Sequence, residues 1–322
     1  HGHAFDMMGR RLVFEMFGPK FDLKRHPALG EEVLREVMSL VSSGFTERGL
    51  SRFSEAGHFL KALELMLSSE RPLIITGFFV VEAGAAETDG PMGAAVLGRA
   101  LKALGKRALI ATDWRCRGVA EAASFALKGP KVFIASKPKH ILRFDPDLLV
   151  FIERPGRARD GRYYNMRGID ITDVTDPLDD TLPLAEDFFI KVRSLGIGDG
   201  GNEAGMGNFL QKLAHSAPEF GRCLSVVKSD GAIACDVSNW GCYGLVALLS
   251  CLLKEDLLHD EGEELHMMLA MLDAGAVDGK SLERSPFVDG LPLSASQEVI
   301  SRLRELIQKY IKEGQRGGEL SK

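Results

Sequence analysis

Pro72-Leu-Ile-Ile-Thr-Gly77, then a helix-spaced run from Met92 to Leu104 opened by Pro91 and closed by Gly105, then Arg107-Ala-Leu-Ile-Ala-Thr112: this passage decides the fold. Each short apolar run is bounded by turn residues, the pattern of a strand buried on both faces. Pro91 suits the first position of a helix and Gly105 the residue beyond its end. Strand, helix and strand in that order begin an alternation that implies a mainly parallel sheet.

Working outward, the alternation continues. A helix near Val119 to Leu127 precedes strands at Lys131-Val-Phe-Ile-Ala135 and Asp147-Leu-Leu-Val-Phe-Ile152. From Phe188 to Leu195, Ile190 and Val192 alternate with Lys191 and Arg193, which favours a strand. Next come a helix from Phe209 to His215, a strand pair at Leu224–Val227 and Ala232–Cys235, and a helix from Tyr243 to Leu253. Helices near Glu263 to Leu272 and Ser296 to Ile311 follow, and Glu313 to Lys322 reads as a frayed tail. The expectation is an α/β fold: a mainly parallel, doubly wound, Rossmann-like sheet with helices on both faces and additional C-terminal helices. Glu31–Val41 and Phe59–Leu67 read as helices ahead of it, so residues 1–71 are expected to form a helical N-terminal extension and 72–322 the α/β catalytic-like domain.

With 322 residues, 45% hydrophobic and 26% charged, the chain can bury a full core. A net charge of −5 gives no basic field for nucleic acid. The longest apolar run, Gly244 to Leu253, is too short for a membrane span. Five cysteines without a Cys-x-x-Cys pair argue for buried, reduced thiols and a cytoplasmic setting. No secretory signal is evident, and His1 to Asp6 ahead of Met7 reads as an appended leader. A homo-oligomer is compatible with all of this.

In an open parallel sheet, ligands collect beyond the carboxyl ends of the strands. Four polar segments fall there: Glu87-Thr-Asp-Gly-Pro91, Asp113, Glu153 to Gly168, and Gly196-Ile-Gly-Asp-Gly-Gly-Asn-Glu203 within a glycine-rich loop running to Asn208. Thr88 or Asp89 can cap the Pro91 helix. The loop formally matches a dinucleotide fingerprint, but Asp199 inside it would repel a pyrophosphate. Its Asp199, Asn202 and Glu203 instead suit a cation, an ammonium group or a proton transfer. Of the arginines from Arg154 to Arg167, most are expected to pair with Asp160, Asp170 and Asp173, leaving one or two for an anion. Ser238-Asn-Trp-Gly241 offers Asn239 as a ligand-orienting group and Ser238 as a helix cap. His259 and His266 read as an exposed helical face near Glu263.

The strings Glu87-Thr-Asp-Gly-Pro91, Glu153-Arg-Pro-Gly156 with Asp160-Gly-Arg-Tyr-Tyr-Asn-Met-Arg-Gly168, the glycine loop and Ser238-Asn-Trp-Gly241 together resemble the C-terminal domain of the D-glutamate cyclase family, over roughly residues 72 to 250. The resemblance implies conversion of D-glutamate, a small acidic amino acid, to 5-oxo-D-proline and water. Such a reaction needs a proton taken from nitrogen, the γ-carboxyl neutralised and an oxyanion stabilised. Asp199 or Glu203 is the expected base, with Asp89 and Asp113 as acid or cation ligands. Arg154 and Arg157 are expected to hold carboxylates, the N–H groups of Gly200 and Gly201 to face the oxyanion, and Arg167, Asn165, Asn202 and Asn239 to complete substrate binding. No cofactor is required by the sequence, though Asp89, Asp199 and Asn202 are compatible with a divalent cation, Mg²⁺ or Mn²⁺. Two other readings stand beside this one. The first is metal-assisted hydrolysis or phosphoryl transfer on Asp89, Asp113, Asp199 and Asn202. The second is a non-catalytic protein that binds an acidic amino acid.

Overall fold

The computed structural model describes residues 29–46 and 48–319. Six strands form one sheet: β1 (Pro72–Thr76), β2 (Leu109–Thr112), β3 (Val132–Ile134), β4 (Leu148–Ile152), β5 (Arg193–Gly198) and β6 (Gly231–Ala234). Their order is β3-β2-β1-β4-β5-β6 and every pairing is parallel. The chain therefore starts in the middle, builds outward on one side, and returns to build the other. This α/β, Rossmann-like arrangement leaves a crevice between β1 and β4, where successive connections leave in opposite directions.

Among the described residues ten helices surround the sheet: α1 (Glu31–Val41), α2 (Ala56–Ser68), α3 (Pro91–Ala103), α4 (Arg117–Ala126), α5 (Pro138–Leu142), α6 (Thr181–Asp187), α7 (Leu210–Ser216), α8 (Ser238–Leu253), α9 (Glu261–Asp273) and α10 (Leu293–Glu319). Fifteen residues of α8, Ser238 to Leu252, are buried, because α8 lies between the sheet and other helices. A helix apolar all round belongs in such a place. Val33, Val37 and Val41 of α1 join the same core, so α1 is packed onto the sheet domain. Asp236 fixes the segment after it, accepting hydrogen bonds from the main-chain N–H groups of Ser43 and Gly44 and the hydroxyls of Ser43 and Ser51.

Several local expectations are corrected. Leu224–Val227 forms only an isolated bridge, Ala158 to Ser225, since its neighbours there are loops rather than a strand. The strand expected from Phe188 begins at Arg193; Phe188 and Phe189 instead end α6, with Phe189 at φ +55°. The expected frayed tail is helical as far as Glu319, and residues 320–322 lie outside the described residues, as does the leader. His259 is not on an exposed face: it is buried, with Nε2 2.7 Å from Glu264, whose carboxylate also accepts from Tyr243. No helix among the described residues is long and apolar enough to cross a membrane. All five cysteines are free and buried.

Candidate active site

Beyond the carboxyl ends of β1, β4 and β5 lies a well of carboxylates. Glu87 and Asp89 follow β1, Glu153 follows β4, and Asp199 and Glu203 follow β5; all five are buried. A sixth, half-buried Asp289, arrives from the far end of the chain. It sits in the two-residue turn Asp289–Gly290, between Phe287–Val288 and Leu291–Pro292, with φ of +51° and +75°. Asp-Gly is the dipeptide that such a turn demands, because both central residues need positive φ. Asp278 braces the hairpin by accepting from Gly290 and Ser281.

The main chain holds each carboxylate in place. Asp89 Oδ1 accepts from the N–H groups of Gly90 (3.0 Å) and Asn239 (2.8 Å), and Oδ2 from Ser238 (2.9 Å). Asp89 thus caps α8, a helix remote in sequence, rather than α3 alongside it. Gly90 sits at φ +102°, where a Cβ would stand 2.9 Å from that of Glu153, so only glycine fits. Glu153 has φ +43°, an uncommon backbone state for a residue with a side chain, and accepts the Ser238 hydroxyl. Backbone strain of this kind concentrates at functional sites.

The glycine loop does not hold its amides open. The N–H groups of Asp199 (3.0 Å), Gly200 (2.7 Å) and Gly201 (2.7 Å) all donate to the Glu203 carboxylate. Successive amides in such a turn form an anion-binding nest, and here the anion is part of the chain. The N–H groups of Gly200 and Gly201, expected to face an oxyanion, are directed to Glu203 in this structure.

Asp199 belongs to two groups at once. Its oxygens lie within 4.8 Å of those of Asp89 and Asp289, and also of those of Glu153 and Glu203. Two unit charges 4–5 Å apart in an effective dielectric of about 20 repel by roughly 3–4 kcal/mol, so these carboxylates cannot all be ionised without a counter-charge. Burial accordingly pushes the Glu87, Glu153 and Asp199 carboxyls well above the usual carboxylate range, and neighbouring carboxylates push them further. Burial and the charge of Asp289 raise Asp89 to about 8. Burial lifts Asp289 to about 6, with the charges of Asp278 and Glu203 adding to it.

The arginines occupy other positions. Arg154 is buried against Asp113 at 2.7 Å and donates to Gly77 O and Asp176 O, so this pair forms a closed brace beneath the β1–β4 crevice. Arg157 makes a paired contact with Asp180, and Arg162 pairs with Asp170. Arg167 donates to Glu82 and to the carbonyls of Gly279 and Lys280, while Asn165 Nδ2 also reaches Glu82. Asn202 donates to Tyr164 O, and Asn239 Oδ1 accepts from Gly90 and Gly93, locking the turn after β1 to α8. Of the residues expected at the site, the structure gathers Asp89, Asp199 and Glu203 and holds Asp113 apart with Arg154.

Four contributors stand outside the expected site residues: Glu87, two residues before Asp89, and three others. Asp289 is signalled by its Asp-Gly turn between apolar pairs. Glu153 is visible as the first residue after β4, although Arg154, Arg157, Asn165 and Arg167 are the residues singled out from its segment. Arg48 carries no sequence signal. It is 1% exposed and enters beneath the glycine loop from the segment ahead of β1. Its Nη1 donates to Gly200 O at 2.9 Å, its Nη2 to Met166 O at 2.9 Å, and its guanidinium lies 4.4 Å from the Phe220 ring centre. It therefore ties the glycine loop to the arginine segment and places positive charge behind Glu203.

Comparison with known proteins follows the same outline. The family model described as "D-glutamate cyclase-like, C-terminal" matches residues 37–304, a span that includes Arg48 and Asp289. A human protein, "D-glutamate cyclase, mitochondrial", is 34% identical over 238 residues, covering 67% of this chain and 38% of its own length. The chain therefore matches well under half of that relative. On the extent of the family match, the chain belongs to the D-glutamate cyclase-like C-terminal family.

Proposed function

We propose that the chain binds D-glutamate in the carboxylate well and cyclises it to 5-oxo-D-proline and water. The observation that carries the reading is the gathering of buried carboxyls with raised proton affinity at one crevice. Cyclisation needs such groups. The ammonium nitrogen loses two protons on becoming a lactam N–H, and the departing γ-oxygen gains two as it leaves as water. No net proton is consumed, so the site must relay protons from nitrogen to oxygen at neutral pH. Ordinary carboxylates, with pKa values near 4, hold too few protons at that pH to act as donors. Carboxyls lifted by burial hold enough, and pairs of unequal affinity separate the acid from the base.

Asp199, common to both carboxylate groups, pairs with the substrate ammonium, whose positive charge offsets the burial and neighbouring charges that raise its proton affinity, and then accepts its proton. Glu153, kept protonated by burial, donates to the departing oxygen, with the Ser238 hydroxyl holding its orientation. Glu203 fixes the loop that carries Asp199. The negative well also favours a cationic amine over a phosphate ligand, which weighs against phosphoryl transfer.

The test is NMR of the protein with D- and with L-glutamate. The expected result is 5-oxoproline from the D-enantiomer, reduced ~10²–10⁴-fold in Asp199→Asn, the range for losing a general acid–base group. No product from folded wild type, or near-normal turnover in the variant, would overturn the proposal or the assignment respectively.

A further inference from the structure

Asp199 is only 6% exposed, yet its Oδ2 accepts no hydrogen bond. A buried carboxylate oxygen without a donor calls for an explanation, such as an ion. One carboxylate oxygen of Asp199 and one each of Asp89 and Asp289 lie within 4.8 Å of one another. Three separate elements bring them together: the loop after β1, the end of β5 and the Asp289–Gly290 turn.

We infer that Asp89, Asp199 and Asp289 form a binding site for one hard divalent cation of the Mg²⁺ or Mn²⁺ class. The ligand set is oxygen only, which disfavours zinc and copper. Oxygens around such an ion lie at about 2.0–2.1 Å for Mg²⁺, which puts neighbouring and opposite oxygens within the spacing seen here. Three carboxylates leave the remaining positions to water or to a substrate oxygen. Asp289, the half-buried member, puts the site on the solvent side of the well.

The second group, Glu153, Asp199 and Glu203, is a poorer site, because all three members are buried and none has the solvent access of Asp289. Glu203 accepts three main-chain N–H groups and Glu153 accepts the Ser238 hydroxyl. Asn202, a candidate ligand on sequence grounds, turns its Oδ1 toward the Arg48 guanidinium at 3.4 Å while its Nδ2 donates to Tyr164 O, and Asp289 takes its place. The cation's part in turnover, holding a substrate carboxylate while Arg154 and Arg157 are engaged elsewhere, is the one clause that rests on the cyclase reading.

The experiment needs no substrate. The full chain is stripped with EDTA and titrated with Mn²⁺, free ion being counted by electron paramagnetic resonance and stability followed by thermal melting. The expected result is one equivalent bound with a rise in Tm, as any ligand selective for the native state produces. Asp289→Asn and Asp199→Asn should each weaken binding by about tenfold or more, the scale of effect from disturbing a metal site. Both variants should still melt cooperatively when metal-free. No binding by wild type, or wild-type affinity in both folded variants, would overturn the inference. Either result leaves the cyclase reading to its own assay, and binding of Mn²⁺ without 5-oxoproline would remove that reading while keeping the site.

Discussion

Replacing Asp289 by Asn should stabilise the metal-free protein at neutral pH and do almost nothing in acid. Asn tolerates the positive φ of this turn as Asp does, so the backbone has no reason to move. What changes is charge. In the unfolded chain Asp289 titrates near 3.9; in the fold it titrates at about 6. Below pH 4 both states are protonated and the shift contributes nothing. Between pH 4 and 6 the folded state keeps a proton that the unfolded chain has lost, so stability falls as pH rises. Above pH 6 the whole cost is present. Two pKa units correspond to about 2.7 kcal/mol, and partial contact with solvent reduces this to roughly 1–2 kcal/mol. For a chain of this size that is a rise in Tm of roughly 2–6 °C. The assay is thermal melting in EDTA at pH 7.5 and pH 4.5, wild type against Asp289→Asn. A gain at pH 7.5 that shrinks to roughly a third at pH 4.5 is expected. An equal gain at both values, or a loss at pH 7.5, would refute the electrostatic account of the well.

Two further outcomes follow from the packing around the well. Arg48→Met removes the donors to Gly200 O and Met166 O and the charge behind Glu203, and should lower stability by about 1–3 kcal/mol, read as a reduced urea midpoint and partly recovered in Arg48→Lys. Gly90→Ala forces a Cβ to 2.8 Å from Thr76 Oγ1 and 2.9 Å from Glu153 Cβ at φ +102°. It should cost about 1–3 kcal/mol in stability and a larger fraction of turnover, since Glu153 must move to admit it.

The sheet was legible because its strands are buried on both faces. Runs such as Leu148-Leu-Val-Phe-Ile152 have one reading once turn residues bound them. Parallel pairing followed from the helices between strands. Leu224–Val227 misled because apolar β-branched residues also line loops: Val226 N–H donates to Arg157 O, a partner in another loop rather than a strand. The site was half legible. Asp89, Asp199 and Glu203 stand in dense polar strings at strand ends. Asp289 lies some ninety residues beyond Asp199 and reaches it only through the path of α8, α9 and the final hairpin. Arg48 lies more than twenty residues ahead of β1, and nothing local distinguishes it from a surface arginine. Long-range convergence of this kind is set by tertiary packing, which periodicity does not encode.

Glu203 has one more effect. Elsewhere, this strand order turns amide hydrogens outward at a glycine turn and draws in phosphorylated molecules. Here the chain plugs that socket with its own side chain, and the sign of the crevice is reversed. A scaffold suited to anions becomes a receptacle for cations without any change of backbone plan. The plug also comes ready-made: the loop is shaped before a guest arrives, so an incoming amine need not supply the free energy of ordering six glycines.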